Sequence, residues 1–271
     1  MQDPAYVLGH SEREVSRLRD QARLLEPITR SFLEAAGLAP GMSVLDVGSG
    51  AGDVAFLAAQ LVGPTGRIVG IDKVAAAVAA AAATAAARGL AQVSFRQGDA
   101  AAMSFEQPFD AVIGRYVLLF QADAGAMLRA LTRHLRPGGR VVFHEPDWVS
   151  ARSVPPAPTY DHCCRWIREV FRLSGTDGNM ADKLYPIFVR AGLAAPQMRM
   201  QTFIGGPAAS EPLLEAMADL IATLVPALER LSIATAGEID IATLADRMKR
   251  EVAAKDCLII GRSEVSAWAR V

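Results

Sequence analysis

The sequence predicts an α/β fold in which a parallel sheet is covered by helices on both faces, and three observations predict it. Through the first 145 residues, short apolar runs alternate with segments of helical periodicity. The runs are apolar at successive positions rather than at every second one, as in strands buried on both faces. The first run is followed by glycines, which suit a strand turning straight into a helix. Strands alternating with helices imply right-handed crossovers between parallel neighbours.

The elements follow in order. Residues 12–36 carry Val15, Leu18, Ala22 and Leu25 at helical spacing, and Gly37 is placed to end the last turn. Ser11 with Glu14 reads as a capping box. Residues 42–47 form the first strand and 54–61 a helix; 66–72 form the second strand. The alanine-rich stretch that runs to Arg88 is its crossover helix, alanine being the best helix former. Strands at 93–97 and 109–113, a helix at 124–135, a turn at Pro137-Gly138-Gly139 and a fifth strand at 140–144 complete the pattern. Beyond it, Val154-Pro155-Pro156-Ala157-Pro158 breaks regular structure. Helices are expected at 161–173 and 181–191, a sixth strand at 197–204, two helices at 211–231 and 238–255, and a last strand at 265–271.

Composition narrows the function classes. Of 271 residues, 51% are hydrophobic and 21% charged, with a formal net charge of −1. That is a globular balance with no basic block, so a nucleic-acid partner is not expected. The longest apolar stretch, 74–87, is mostly alanine and reads as a covered helix, so no membrane partner is expected. The first residues lack a basic, apolar leader pattern, and the three cysteines form neither a disulfide framework nor a metal motif. A cytoplasmic location is the expectation.

The chemistry is concentrated in Val44-Leu45-Asp46-Val47-Gly48-Ser49-Gly50-Ala51-Gly52. Glycines let the backbone pass close to a ligand, and the following helix offers free N–H groups. Dinucleotide enzymes use Gly-x-Gly-x-x-Gly with pyrophosphate at the helix start. Here the spacing is Gly-x-Gly-x-Gly behind an acid, Asp46, whose carboxylate repels pyrophosphate and suits a cationic amino group such as that of a methionine moiety. Asp72 closes the second strand 20 residues past Gly52, where an acid accepts bonds from ribose hydroxyls; a helix cap is its structural alternative. Asp99, in Gln97-Gly98-Asp99-Ala100, is placed to accept from an adenine amino group or to serve as a turn residue.

This ordered set resembles the class I S-adenosylmethionine-dependent methyltransferases. It comprises 44–52, Ile71-Asp72, Gly98-Asp99, Phe109-Asp110-Ala111-Val112 and Leu135-Arg136-Pro137-Gly138-Gly139. It is similar in particular to the ubiquinone/menaquinone-biosynthesis type and related small-molecule enzymes. The resemblance implies a Rossmann-like seven-stranded sheet with the last strand antiparallel, an N-terminal helix, and a helical insertion before the last strand. It also implies S-adenosylmethionine as cofactor. On that resemblance Asp46, Gly48, Ser49, Gly50 and Gly52 face the methionine part, Asp72 and Lys73 the ribose, and Asp99 and Ala100 the adenine. Arg115 approaches the cofactor after the fourth strand. Gln21 lies on a helix that, in such enzymes, covers the cofactor, with Tyr6 and His10 as further pocket candidates. The loop departs from commoner variants in having Ser49 and Ala51.

Ligands of open α/β sheets sit beyond the carboxyl ends of the strands. The fifth strand ends in His144-Glu145-Pro146-Asp147-Trp148, which makes His144 the first and Glu145 the second candidate for a catalytic base. A polar, capped loop is the alternative. A metal held by His144, Glu145, Asp147 and His162 lacks any supporting ligand spacing, and Tyr160 and His162 read as surface or core. The expected organisation is one domain, with a helical lid at 1–39, a cofactor-binding core at 40–150 and a substrate-side region at 151–271. Within it, 211–255 forms a cap whose stripe Leu213, Leu214, Met217, Leu220, Ile221, Leu224 and Leu228 lines an apolar pocket, or else pads the sheet or forms a homodimer interface. The expected reaction is methylation of a small, largely apolar molecule on oxygen, carbon or nitrogen. A protein or RNA target, and a binding protein that transfers nothing, are the alternatives.

Overall fold

The computed structural model describes the backbone of residues 12–271 and the side chains from residue 23 onward. Tyr6, His10 and the Ser11–Glu14 capping box, with the side chain of Gln21, lie outside the described residues. The chain divides into two compact units. Among the described residues, the larger holds 25–145, 181–199 and 265–271, and the smaller holds 12–24, 146–180 and 200–264.

Helix α1 (Glu12–Ala35), which enters the larger unit at Leu25, ends where Gly37 turns left-handed at φ 83°. The Gly37 N–H bonds the Glu34 carbonyl and the Leu38 N–H the Leu33 carbonyl, a Schellman cap. There follow β1 (Ser43–Val47), α2 (Asp53–Val62), β2 (Arg67–Asp72), α3 (Ala75–Ala87), β3 (Val93–Gln97) and β4 (Phe109–Arg115). After α4 (Ala124–Thr132) comes β5 (Leu135–Asp147). The strands order as β3-β2-β1-β4-β5-β8, with the last strand β8 (Leu258–Arg270) antiparallel. β1 is parallel to both β2 and β4, Val44 standing opposite Ile68 on one side and Ala111 on the other. One face of this sheet presents Val44, Ile68, Ala111, Ile113 and Val142 to Leu33 of α1 and to Val54, Ala55 and Ala58 of α2. α3 packs on β2 and β3 through Ala81 and Ala85; its other alanines are half-buried or exposed, so propensity supplies much of its stability.

In the smaller unit a short strand, β6 (Arg152–Val154), pairs antiparallel with the start of β8, Arg152 opposite Ile260. Helix α5 (Pro158–Ser174) packs against α7 (Pro207–Arg230) and α9 (Leu244–Ala254). The stripe Leu214, Met217, Leu220, Ile221, Leu224 and Leu228 is buried in that unit. Tyr160 is core, its hydroxyl donating to the Ile260 carbonyl at 3.0 Å. No described helix is long and apolar enough to cross a membrane.

Three expectations on element boundaries need correction. The fifth strand begins at Leu135, not Arg140, because the Pro137-Gly138-Gly139 turn is an excursion within it. Phe109 pairs with Leu135 and Ala111 with Arg140, and Gly138 and Gly139 bond the backbone of Val271. The last strand begins at Leu258, not Val265: it opens on Leu258-Ile259-Ile260, and its polar middle carries an Arg262–Glu264 ion pair at 2.8 Å and a Ser150–Ser263 hydroxyl contact at 2.8 Å. The helix expected at 238–255 is split by Asp240, left-handed at φ 44°, into α8 (Ala236–Ile239) and α9. β6 had no pattern long enough to read. The sixth expected strand is present as β7 (Gln197–Gly205), and the helix expected at 181–191 as α6 (Ala181–Arg190).

Candidate cofactor site

The loop between β1 and α2 is built on three left-handed glycines, Gly48, Gly50 and Gly52, at φ 66°, 52° and 93°. Two are also held by packing. A Cβ on Gly48 meets Val117 at 2.8 Å, and one on Gly52 meets Phe56 at 2.8 Å. At Gly50 nothing stands within 4 Å of such an atom, so the loop opens outward there. Ser49 donates its N–H to the Ile71 carbonyl at 3.0 Å, tying the loop to the end of β2, while its buried Oγ has no partner.

Asp46 precedes this loop and is 1% exposed, yet neither carboxylate oxygen has a hydrogen-bond partner. Burial pushes its pKa up to about 8; the Arg115 guanidinium pulls it down, and Asp72 and Asp53 push it further up. The Ala55 N–H, outside hydrogen-bonding geometry, lowers it least. Side chains two apart on a strand share a face, so Asp46, Arg115 and His144 leave the ends of β1, β4 and β5 on the face that carries Val44, Ile113 and Val142. Arg115 Nη1 donates to Thr29 Oγ1 of α1 at 3.3 Å, and Thr29 Oγ1 lies 3.2 Å from His144 Nδ1. The His144 ring is 3% exposed and packs edge-on against Phe32 and Tyr116, at 5.0 and 5.6 Å between centroids.

Asp72 holds the loop from the next strand. Its Oδ2 accepts the Gly50 N–H at 2.8 Å and its Oδ1 the Val74 N–H at 2.9 Å. Each oxygen keeps a second lone pair for a ligand hydroxyl. Lys73 reaches Asp99 at 3.2 Å, linking the ends of β2 and β3. Asp99 also accepts the Ala101 N–H at 3.0 Å, and buried Ala100 is fixed by its carbonyl, 2.9 Å from His134 Nε2. The structure thus brings the expected Asp46, Gly48, Ser49, Gly50, Gly52, Asp72 and Arg115 to one loop and its neighbouring strand ends.

Glu145 is reassigned. It is fully buried, and its carboxylate accepts the N–H groups of Val117 at 3.0 Å, Leu118 at 2.8 Å and Leu119 at 3.4 Å. These groups begin a short 3₁₀ turn, Leu118–Phe120. A carboxylate so occupied supports the loop that carries Val117 against Gly48; it is not placed as a base. Sequence reasoning missed Thr29 and His134. Thr29 lies mid-helix with no motif around it, and His134 carried no signal beyond its position before a strand.

Residues 38–192 match the family model for a methyltransferase domain, which is more than half of the chain. The chain belongs to that family. It is similar to a nocamycin O-methyltransferase of Saccharothrix syringae, 38% identical over 44% of this chain and 43% of that one. It is also similar to an aklanonic acid methyltransferase of Streptomyces sp. strain C5, 31% identical over 54% of this chain and 69% of that one. A ubiquinone/menaquinone biosynthesis C-methyltransferase of Cellvibrio japonicus is 34% identical over 43% and 47%. The chain spans under half the length of the first and third of these relatives. Among solved structures, a geranyl diphosphate C-methyltransferase of Streptomyces coelicolor aligns with a TM-score of 0.55 over 98% of this chain and 87% of that one, at 18% identity. The [4+2]-cyclase SpnF aligns at 0.52 over 89% and 80%, at 22% identity. Such likenesses show the fold, not the chemistry.

The methyltransferase family's methyl donor, S-adenosylmethionine, fits the residues present. A buried carboxylate with no partner matches an ammonium group, and the open space at Gly50 admits a ligand against the backbone.

Proposed function

We propose that this protein transfers a methyl group from S-adenosylmethionine to a small, largely apolar organic molecule, on oxygen, carbon or nitrogen. Asp46 carries the reading. Burial of a carboxyl with no partner disfavours its ionised form and raises its pKa, and a cationic ligand that pairs with the carboxylate removes that cost. A dinucleotide does not, because its pyrophosphate is repelled.

The bound donor supplies an electrophilic methyl group on a sulfonium. Everything else falls to the chain. Asp46 accepts from the donor's ammonium group, and Arg115 faces its carboxylate. Asp72 accepts from the ribose hydroxyls while it pins Gly50. Asp99 and Ala100 meet the adenine, with Lys73 and His134 fixing their loop. Alignment and exclusion of water supply most of the acceleration in such a transfer. His144, bonded to Thr29 and packed on Phe32, is assigned to the amino-acid end of the donor rather than to proton removal.

The small-molecule target is supported by the names of the relatives: a nocamycin O-methyltransferase, an aklanonic acid methyltransferase and a ubiquinone/menaquinone biosynthesis C-methyltransferase. The near-neutral charge supports a partner other than nucleic acid. The three buried free cysteines support a reducing compartment, and with it a cytoplasmic location.

Calorimetry tests the reading. Micromolar binding of S-adenosylmethionine and S-adenosylhomocysteine with no comparable binding of NAD is expected, together with transfer of labelled methyl to phenolic or quinol acceptors. Tight NAD binding with no S-adenosylhomocysteine signal overturns it.

A further inference from the structure

Asp46 and Arg115 act on each other electrostatically and do not pair. A guanidinium beside a buried carboxylate ordinarily closes onto it, because the forked ion pair is the strongest contact open to either. Here Arg115 Nη1 instead donates to Thr29 Oγ1 at 3.3 Å. The Thr29 side chain is 1% exposed, so no solvent competes for its hydroxyl. Arginine only donates, so it occupies an oxygen lone pair of Thr29, whose hydroxyl also lies 3.2 Å from Nδ1 of His144. His144 packs edge-on against Phe32 and Tyr116, which hold its ring in place. The backbone after Arg115 is fixed as well: Tyr116 stands at φ 59°, and its N–H bonds the His144 carbonyl at 2.8 Å. Thr29 is therefore anchored on one side and holds the guanidinium on the other.

We propose that Thr29 is a positioning residue that holds Arg115 off Asp46, keeping an anionic acceptor and a cationic donor apart for the ammonium and carboxylate of an α-amino-acid group. The proposal rests on the reading of this site as one for S-adenosylmethionine, and it adds what keeps the site open. An Asp46–Arg115 pair would satisfy both residues and exclude the zwitterion. With the hydroxyl in place, the Asp46 carboxyl and the Arg115 guanidinium each remain open to the opposite end of the ligand. The device depends on the C-terminal half of α1, which carries Thr29, Phe32 and Leu33 to this face of the sheet.

The test compares S-adenosylhomocysteine with 5′-methylthioadenosine, which shares the adenosine and sulfur but lacks the amino-acid group. Thr29→Val keeps the shape and removes the hydroxyl. Its affinity for S-adenosylhomocysteine should fall about tenfold or more, while 5′-methylthioadenosine binds as it does to the wild type. Thr29→Ser, which restores the hydroxyl, should restore the affinity. Equal weakening of both ligands means a general structural role and overturns the proposal, as does an unchanged affinity for S-adenosylhomocysteine. If Thr29→Val does not fold, Thr29→Ala against Thr29→Ser makes the same comparison, and the same two outcomes overturn the proposal. A wild type that binds neither ligand overturns the methyl-donor reading itself; wild-type binding with no ligand-selective loss overturns only the role of Thr29.

Discussion

Two buried carboxylates stand at strand ends on the larger unit, and they are opposites. Glu145, at the end of β5, accepts three backbone N–H groups. Asp46, at the end of β1, accepts none. A buried charge that is fully bonded belongs to the fold; one that is left unbonded awaits a ligand. The contrast separates residues that build the site from those that use it, and it explains why the candidate base next to His144 is better read as a support. The same division runs through the rest of the site. Asp72 does both, pinning Gly50 and Val74 while keeping acceptor capacity.

Mutating the two acids should break the comparison most visibly. Glu145→Ala leaves three N–H groups buried or poorly solvated, and should cost about 3 kcal/mol of stability in denaturant unfolding. Asp46→Asn should leave stability near the wild-type value at about pH 4 and at or above it at higher pH, and abolish measurable binding of S-adenosylhomocysteine. If the two variants lose equal stability, the distinction fails.

Next in size is Asp72→Ala. It removes the ribose acceptor and releases the Gly50 N–H, so affinity should fall roughly five- to hundredfold by calorimetry.

A pH dependence sharpens the contrast further. Asp46 titrates at about 8 in the free protein because burial raises it, with Asp72 and Asp53 adding to the rise and Arg115 opposing it. An ammonium partner stabilises the ionised form, so binding at pH 7 releases a proton. Affinity should rise by up to about tenfold per pH unit between pH 6 and 8 and level off above. The sign for folding is opposite. A carboxyl with a raised pKa contributes stability that is fully present below its unfolded value of 3.8 and is lost as pH rises from there through about 8. In the absence of ligand, Asp46→Asn should therefore gain on the wild type progressively across that window and keep the gain above it. Calorimetry in buffers of different ionisation enthalpy counts the proton; a count of zero contradicts the account.

The smallest effect belongs to Lys73. Its ion pair with Asp99 is half exposed, and such pairs contribute under about 1 kcal/mol. Lys73→Ala should change affinity by no more than a few fold.

Much of this was legible in the sequence. The glycine spacing, Asp46 and Asp72 identified the loop and its ligand class because backbone conformation and local charge are written in neighbouring residues. The alternation of strand and helix gave the larger unit for the same reason. What escaped depended on contacts distant along the chain. Glu145 is bonded to residues 26 to 28 positions earlier, so its sequence position could not distinguish a base from a cap. Thr29 meets His144 across 115 positions, and a lone threonine in an amphipathic helix announces nothing. β8 opens on an apolar Leu258-Ile259-Ile260, but Gly261 and the charged Arg262 and Glu264, which pair with each other, interrupt the pattern before Val265 and hid the continuity of the strand.

The most direct measurement is a crystal structure with S-adenosylhomocysteine bound. The account predicts its ammonium group within hydrogen-bond distance of both the Asp46 carboxylate and the glycine loop, its carboxylate toward Arg115, and its ribose hydroxyls on Asp72. A ligand whose amino-acid end lies elsewhere, with the Asp46 oxygens still unpartnered, would contradict it.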